Sequence, residues 1–364
     1  MKRLILFTTA TILSNVSSFA TIRTVSNSPS TVIGQFSNIQ AAVNASSSGD
    51  SVYVHGSPVN YSGFTITDKR LVIIGPGWSP DKAWAFTARV STSMITGPLS
   101  ARTEIQGVTF IGEIFANTNR PDSLRFIRNL FTGTVNINQH GITYRNYIFQ
   151  GNFFSNIPVH ASPYNKYENC VFQNNVFYSN GSSSVNNLTH SESTVLFDHN
   201  LWYGPGGGSA DLFGNPIFAN TGPCQYLLFT NNIFVRRNAA NHGAFNTFNN
   251  NITFLCVNDS PWTVNDNIDN GENVSGQDPQ MVDQSSVNGG SNNPLLNFTI
   301  STGPADGTGT DDEDMGLLYQ TTGSLNWTNS RNSRLPRVYS MNIANSTVQV
   351  NGTLTVNVEG RKSN

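Results

Sequence analysis

A hexapeptide with an asparagine fixed between aromatic residues recurs along this chain. It reads Phe126…Asn129-Leu130-Phe131, Phe149…Asn152-Phe153-Phe154, Phe172…Asn175-Val176-Phe177, Phe197…Asn200-Leu201-Trp202 and Phe229…Asn232-Ile233-Phe234. A sixth copy, Phe248…Asn251-Ile252, has Thr253 where the last aromatic would fall. Successive asparagines are 23, 23, 25, 32 and 19 residues apart. That period is too short for a pair of packed helices. It suits one coil of a parallel β-solenoid, in which two or three short strands are joined by turns.

Period-2 alternation turns Leu124 and Phe126 inward in one coil, Tyr147 and Phe149 in the next, and Cys170 and Phe172 in the third. The asparagine then falls at a turn, and stacking at about 4.8 Å lets each amide hydrogen-bond to the next. The repeated asparagine is therefore explained by the ladder, with no catalytic role required of it. Earlier coils keep the phase without the amide: Ile105-Gln106-Gly107-Val108-Thr109-Phe110 puts Val108 at the asparagine position. Upstream, residues 49–56, 63–68 and 70–77 are strand-like runs bounded by turn residues. Residues 37–50 predict a short amphipathic helix with Ile39, Ala42 and Val43 on one face. A solenoid exposes apolar surface at its first coil, and this helix is suited to cover it.

The cap and first coil, IQAAVNASSSGDSVYVHGSPVNYSGFTITDKRLVIIGPG, resemble those of the right-handed parallel β-helix proteins of the pectin-lyase-like superfamily. The GVTFIG coil and the asparagine-rich coils extend that resemblance to about residue 270. DPQMVD (278–283) and ISTGPADGTGTDDEDMG (300–316) resemble the closing coil of secreted bacterial members. The fold expected is all-β: a right-handed parallel β-helix over residues 21–316, with the N-terminal cap included. Residues 317–364 form a C-terminal tail whose alternation around Asn351-Gly352 signals a β-hairpin.

Residues 1–20 read as a secretory signal peptide. Lys2 and Arg3 precede an apolar stretch from Leu4 to Leu13, and Ser18-Phe19-Ala20 is a small-x-small cleavage site. That run is too short to span a bilayer, and no later segment has the length and apolarity of a transmembrane helix. The expected location is extracellular or at the cell surface. Charged residues are 12% of the chain and the net charge is −2, which argues against nucleic acid or anionic membrane as the main partner. Three cysteines are an odd number for an exported chain. Cys170 occupies an inward slot and reads as a small core residue; Cys224 and Cys256 are left either paired or free.

The resemblance implies polysaccharide as the partner, with lyase and hydrolase activities among the family's best known. The polygalacturonase-like carboxylate set is not present in order. The acidic cluster DDED (311–314) reads as a solvated turn, with weak calcium binding as the alternative and no specific metal motif. Asp198-His199 in VLFDHN resembles a pectate-lyase stretch but fills the two variable slots of the repeat, as Gln150-Gly151 and Gln173-Asn174 do.

A different grouping follows from register alone. Arg145, Lys166, Glu168, His190 and Glu192 stand four to seven residues before their coils' aromatics and should cluster on three neighbouring rungs. As a site, Arg145 or Lys166 would meet an anionic sugar and His190 would act as base, with Glu168 and Glu192 beside them. His140 and His160 fall in the same sector, and Asp198 and His199 complete the candidate binding set. As a plain surface, the same residues are a solvated face of paired charges. Tyr164, Tyr178 and Tyr203 are candidate sugar-stacking aromatics, and the loop 203–216 lengthens one coil. Two functions remain: a protein acting on or binding polysaccharide, including a polysaccharide lyase, and a non-catalytic structural or adhesive β-helix.

Overall fold

The computed structural model of the chain describes residues 20–29, 33–79, 86–116, 121–138, 141–155, 159–162, 164–179, 185–186, 188, 194–206, 211–212, 224–241, 243–319, 325–330, 337–343, 352–353 and 355–361. Three parallel sheets run along the solenoid. The first has eleven strands, running from Ile22–Val25 through Arg125–Ile127, Ile148–Gln150, Cys170–Gln173, Val195–Asp198, Leu227–Thr230 and Thr247–Asn249 to Ile268–Asp269. The second has eight, from Arg89–Val90 to Ile252–Phe254, and the third six, from Thr65–Thr67 to Val185–Asn186. Each repeat supplies one rung, so Phe126 pairs in register with Phe149, Phe149 with Phe172, Phe172 with Phe197 and Phe197 with Phe229. The parallel β-helix expected from the repeat is the fold.

The two aromatics of the hexapeptide make two separate inner columns. Rings 126, 149, 172, 197, 229 and 248 stack at centroid distances of 5.0, 4.5, 4.7, 5.1 and 5.0 Å. Phe110, Phe131, Phe154, Phe177, Trp202 and Phe234 form the second column on the adjoining sheet. The columns meet edge to face, as in Phe197–Trp202 at 5.2 Å and 63°, an arrangement that suits the ring quadrupoles. Phe126 and Phe149 are buried, as are the inward residues Leu124, Tyr147 and Cys170.

Between the two columns each coil bends at the slot before the asparagine. Gly107, Arg128, Gly151, Asn174, His199, Asn231 and Asn250 all have φ between 51° and 67° there. Glycine and asparagine tolerate left-handed backbone, which accounts for their frequency at a slot that otherwise looks variable. The asparagines that follow, 129, 152, 175, 200, 232 and 251, form a continuous buried ladder. It runs one rung further than the hexapeptide, because Asn251 donates to Oδ1 of Asn273 at 2.9 and 3.0 Å. At its head Val108 donates its N–H to Oδ1 of Asn129, consistent with its place in the repeat.

The N-terminal cap is the helix Ile39–Ala45, started by Asn38, whose side chain accepts from the Ala41 N–H at 2.7 Å. Ile39, Ala42 and Val43 are its buried residues, as the periodicity predicts. At the other end Trp262 covers the last ring of the first column, 6.1 Å from Phe248. The tail contains an antiparallel pair, Arg337–Ile343 with Val356–Arg361, the strand pairing that a hairpin requires. Asn351 lies outside the described residues.

The segment read as a closing coil does something different. Rather than adding a rung, residues 278–319, with Trp327, pack against the outer face of the second sheet. Met281, Val287, Leu296, Phe298, Ile300, Met315, Leu317 and Trp327 bury Phe153, Val176, Leu201, Ile233 and Ile252 in a second apolar core. The reason is visible in the repeat: the residue after each asparagine is apolar and points outward, so this face needs a cover. The cover is also fastened by hydrogen bonds to the bend row. Asn174 exchanges two bonds with Leu318, and Asn231 accepts from the Thr310 N–H and donates to its hydroxyl.

Candidate functional site

Between the third and first sheets, four coils carry an extra short strand among the described residues, Cys224–Gln225 pairing in parallel with Gly243–Ala244 in the later two. Thr143–Arg145 pairs in parallel with Lys166–Glu168, Arg145 lying opposite Glu168. Tyr144 and Tyr167 point inward from these strands and stack at 5.4 Å. Period-2 alternation therefore turns Arg145, Lys166 and Glu168 outward. Arg145 Nε is 2.6 Å from one Glu168 oxygen and Lys166 Nζ is 2.9 Å from the other. The hydrogen bonds from Lys166 and Arg145 hold the Glu168 carboxyl below its usual range. Two cations thus share one carboxylate on a solvated face.

The other predicted residues are placed as follows. His160 lies on the third sheet, half-buried, in register with Asn136 and Asn186. Burial lowers its pKa, with Glu113 opposing, and its Nδ1 is 3.4 Å from Asn138 Nδ2. It is separated from Lys166 by the turn that leads out of the third sheet. His140, His190 and Glu192 lie outside the described residues, as does most of the loop 203–216. Asp198 and His199 are close together, 2.9 Å between Oδ1 and Nδ1, under the covering segment. Asp198 also accepts from Gln173 and Asn231, at 2.8 and 3.0 Å. Burial opposes ionisation of Asp198, but the bonds from His199, Gln173 and Asn231 outweigh it and keep the carboxyl low.

The acidic cluster is also attached rather than merely solvated. Its 3-10 turn Thr310–Asp312 docks through Thr310 on Asn231, and Asp314 accepts from the Gly307 N–H at 2.9 Å. Among the described residues no group of three or more His, Cys, Asp or Glu is placed to hold a metal ion. All three cysteines are free, and Cys170 is buried.

Two of the three candidate sugar-stacking tyrosines are not available. Tyr178 and Tyr203 are buried against the covering segment, Tyr178 donating to Gly290 O and Tyr203 packing on Phe298. Tyr164 is exposed. Sequence reasoning missed the exposed pair that does exist. Tyr226 and Phe245, each 40% exposed, stack in parallel at 5.6 Å and 10°. Both stand three residues before the column phenylalanine, a slot filled by Ser123, Asn146, Asn169 and Thr194 in earlier coils. Alignment of the repeat on that slot would have exposed them.

This slot is a second left-handed bend, with φ of 61° at Ser123, 58° at Asn146, 53° at Asn169, 60° at Tyr226 and 54° at Phe245. For a bulky aromatic that conformation costs on the order of 1–3 kcal/mol. Beside it a groove of about 360 Å³ opens on the outer face of the first sheet, lined by Asn169, Val171, Thr194, Leu196, Tyr226 and Leu228 among others. Glu168 and Arg145 immediately precede the bend residues Asn169 and Asn146, so charged triad and groove share an edge.

No family model matches the chain, and no curated protein matches it in sequence. Among the described residues no helix is long and apolar enough to cross a membrane.

Proposed function

We propose that this is an exported β-helix protein that binds an acidic extracellular polysaccharide on the face carrying Arg145, Lys166 and Glu168. The observation that carries the reading is the shared carboxylate. Arg145 and Lys166, on neighbouring rungs, both meet Glu168 on an outward face and so gather two cations at one place. In a chain with so few charges, an anionic sugar group is the partner such a face attracts. A solenoid also presents equivalent positions at a fixed rise of about 4.8 Å, which suits an extended polymer lying along its axis.

The chemistry described favours binding over turnover. Glu168, held below its usual pKa by two cations, is a weak base. Asp198 and His199 are largely buried, and the Asn231 amide that bonds Asp198 also bonds Thr310 of the covering segment. The signal-peptide reading of residues 1–20 supports an extracellular setting, with the mature chain starting near Thr21.

Isothermal titration against pectin, alginate and chondroitin fragments tests the proposal. Binding to at least one should weaken as salt rises and should weaken again in Arg145→Ala and Lys166→Ala. If none of the fragments binds at low salt, the face is only solvated and the structural or adhesive reading takes its place.

A further inference from the structure

Charge changes sign along the C-terminal part of the chain. Between Arg237 and Arg331 there are eleven aspartates and glutamates and no lysine or arginine. From Arg331 to Asn364 there are five lysines and arginines and one acidic residue, Glu359. Three of the acids, Asp266, Asp269 and Glu272, stand exposed on the last rung. Among the described residues none of these three forms an ion pair. Like charges gathered at one end of a solenoid repel one another, and a cationic segment relieves that repulsion.

The same end has an open strand edge. Ile268–Asp269 is the last strand of the eleven-stranded sheet, with Thr247–Asn249 on one side and, among the described residues, no strand on the other. Ile268 itself is exposed. The basic tail carries the complementary feature. Arg337–Ile343 and Val356–Arg361 form a two-stranded sheet of their own, and Val356 and Val358 are exposed. Two strands alone are marginal in water, and addition to a free sheet edge gives them the neighbour they lack.

The two features sit at different heights on one copy. The covering segment leaves the last rung, meets Asn231 through Thr310 and Asn174 through Leu318, and ends at Trp327 against Trp78, the neighbour of Phe153. Phe153 follows Asn152, which is five ladder steps before Asn273, so the tail is rooted about 24 Å back along the axis. Root and acidic rung are therefore offset along the solenoid, and within one copy the strands of the tail pair only with each other.

We propose that the basic C-terminal strand pair of one copy docks on the acidic last rung of a second copy, adding to the free Ile268–Asp269 edge. The contact is heterologous, because the surface offered differs from the surface received, so copies associate head to tail. Arginines and lysine of the tail meet Asp266, Asp269 and Glu272, and the arriving strand covers Ile268.

The test is sedimentation velocity on the mature protein over a range of concentrations, at low and at high salt. Wild type should sediment as species larger than one copy at low salt and as a monomer at high salt. One variant, Asp266→Asn with Glu272→Gln, neutralises the rung; asparagine tolerates the left-handed backbone at 266. The other, Arg361→Gln with Lys362→Gln, neutralises the end of the tail. A thermal melt checks that both fold. Each variant alone should self-associate about ten-fold more weakly than wild type. Mixed, they should form a one-to-one complex that grows no further, since the first keeps its tail and the second its acids. A wild type that stays monomeric at every concentration in low salt overturns the proposal, as does association that survives both pairs of substitutions. Association that requires calcium assigns the acids to a cation instead of the tail and also overturns it. A mixture of folded variants that forms no complex overturns the head-to-tail arrangement.

Discussion

Asn152 gives its backbone N–H and its side-chain amide to one acceptor, Oδ1 of Asn175, at 2.9 and 3.0 Å. Its second amide hydrogen goes to the carbonyl of Phe126 at 2.8 Å. Asn175 repeats the pattern toward Asn200 and Phe149, and Asn200 toward Asn232 and Phe172. A carboxylate would supply the acceptor and no donor, while a longer amide would not fit the same register. The physical need is to satisfy a bend buried between two aromatic columns.

Replacing Asn175 with leucine should therefore cost more than one hydrogen bond. It strands the Asn152 N–H and amide and the Phe149 carbonyl, each a buried group whose isolation costs about 1–3 kcal/mol. Urea denaturation should show Asn175→Leu losing at least that amount. Asn273→Leu, at the partly buried end of the ladder, should lose less. Equal losses at the two positions would contradict a ladder whose members depend on one another.

Glu168→Gln should strengthen binding of an acidic glycan several-fold at neutral pH, because it removes the negative charge that Arg145 and Lys166 share. Lowering the pH should do the same in wild type once the carboxyl is protonated, which requires a pH below its already depressed value. A sulfated ligand such as chondroitin sulfate keeps its charge in that range and is the right probe. If Glu168→Gln abolishes binding, the carboxylate itself contacts the ligand and the charge argument is wrong.

Acid should loosen the covering segment through Asp198. Its carboxyl titrates below the usual value, so its contribution to stability is complete above the unfolded-state pKa of 3.8 and disappears as pH falls through the lower folded value. Asp198→Asn should consequently be less stable than wild type at neutral pH and should lose less between about pH 4 and 2. Parallel stability curves for the two proteins across that window would show that the carboxylate contributes nothing.

The sequence makes the coils legible because inward aromatics and buried asparagines must recur at the coil period. Phe126, Asn129 and even Val108 could be placed from spacing alone, and the cap helix from Ile39, Ala42 and Val43. Register then brings Arg145, Lys166 and Glu168 together, since strand partners one coil apart are neighbours by construction. What spacing could not give was the path of the chain after the last rung. Tyr178 and Tyr203 look solvent-facing in a bare solenoid, and they are buried because residues 278–319 return across the second sheet. Tyr226 and Phe245 escaped notice for the opposite reason: they interrupt a polar row, and a search for the hexapeptide does not read that row.

The covering segment should be a separable layer, and Trp327 is where to test it. Its side chain is fully buried, 6.0 Å from Trp78 and 6.2 Å from Phe298, and Trp78 in turn meets Phe153 on the second sheet. Truncating a buried tryptophan costs about 3–5 kcal/mol when the site cannot collapse. The loss in Trp327→Ala should fall on the contact between segment and sheet, because the inner columns and the asparagine ladder do not involve this residue. Hydrogen exchange should quicken at the Thr310 and Leu318 amides, which bond to Asn231 and Asn174, while the Asn152 and Asn175 amides stay protected. An apolar dye should bind as Phe153, Val176, Leu201, Ile233 and Ile252 lose their cover. Exchange that quickens equally at Asn175 and Leu318 would mean that solenoid and cover unfold as one unit.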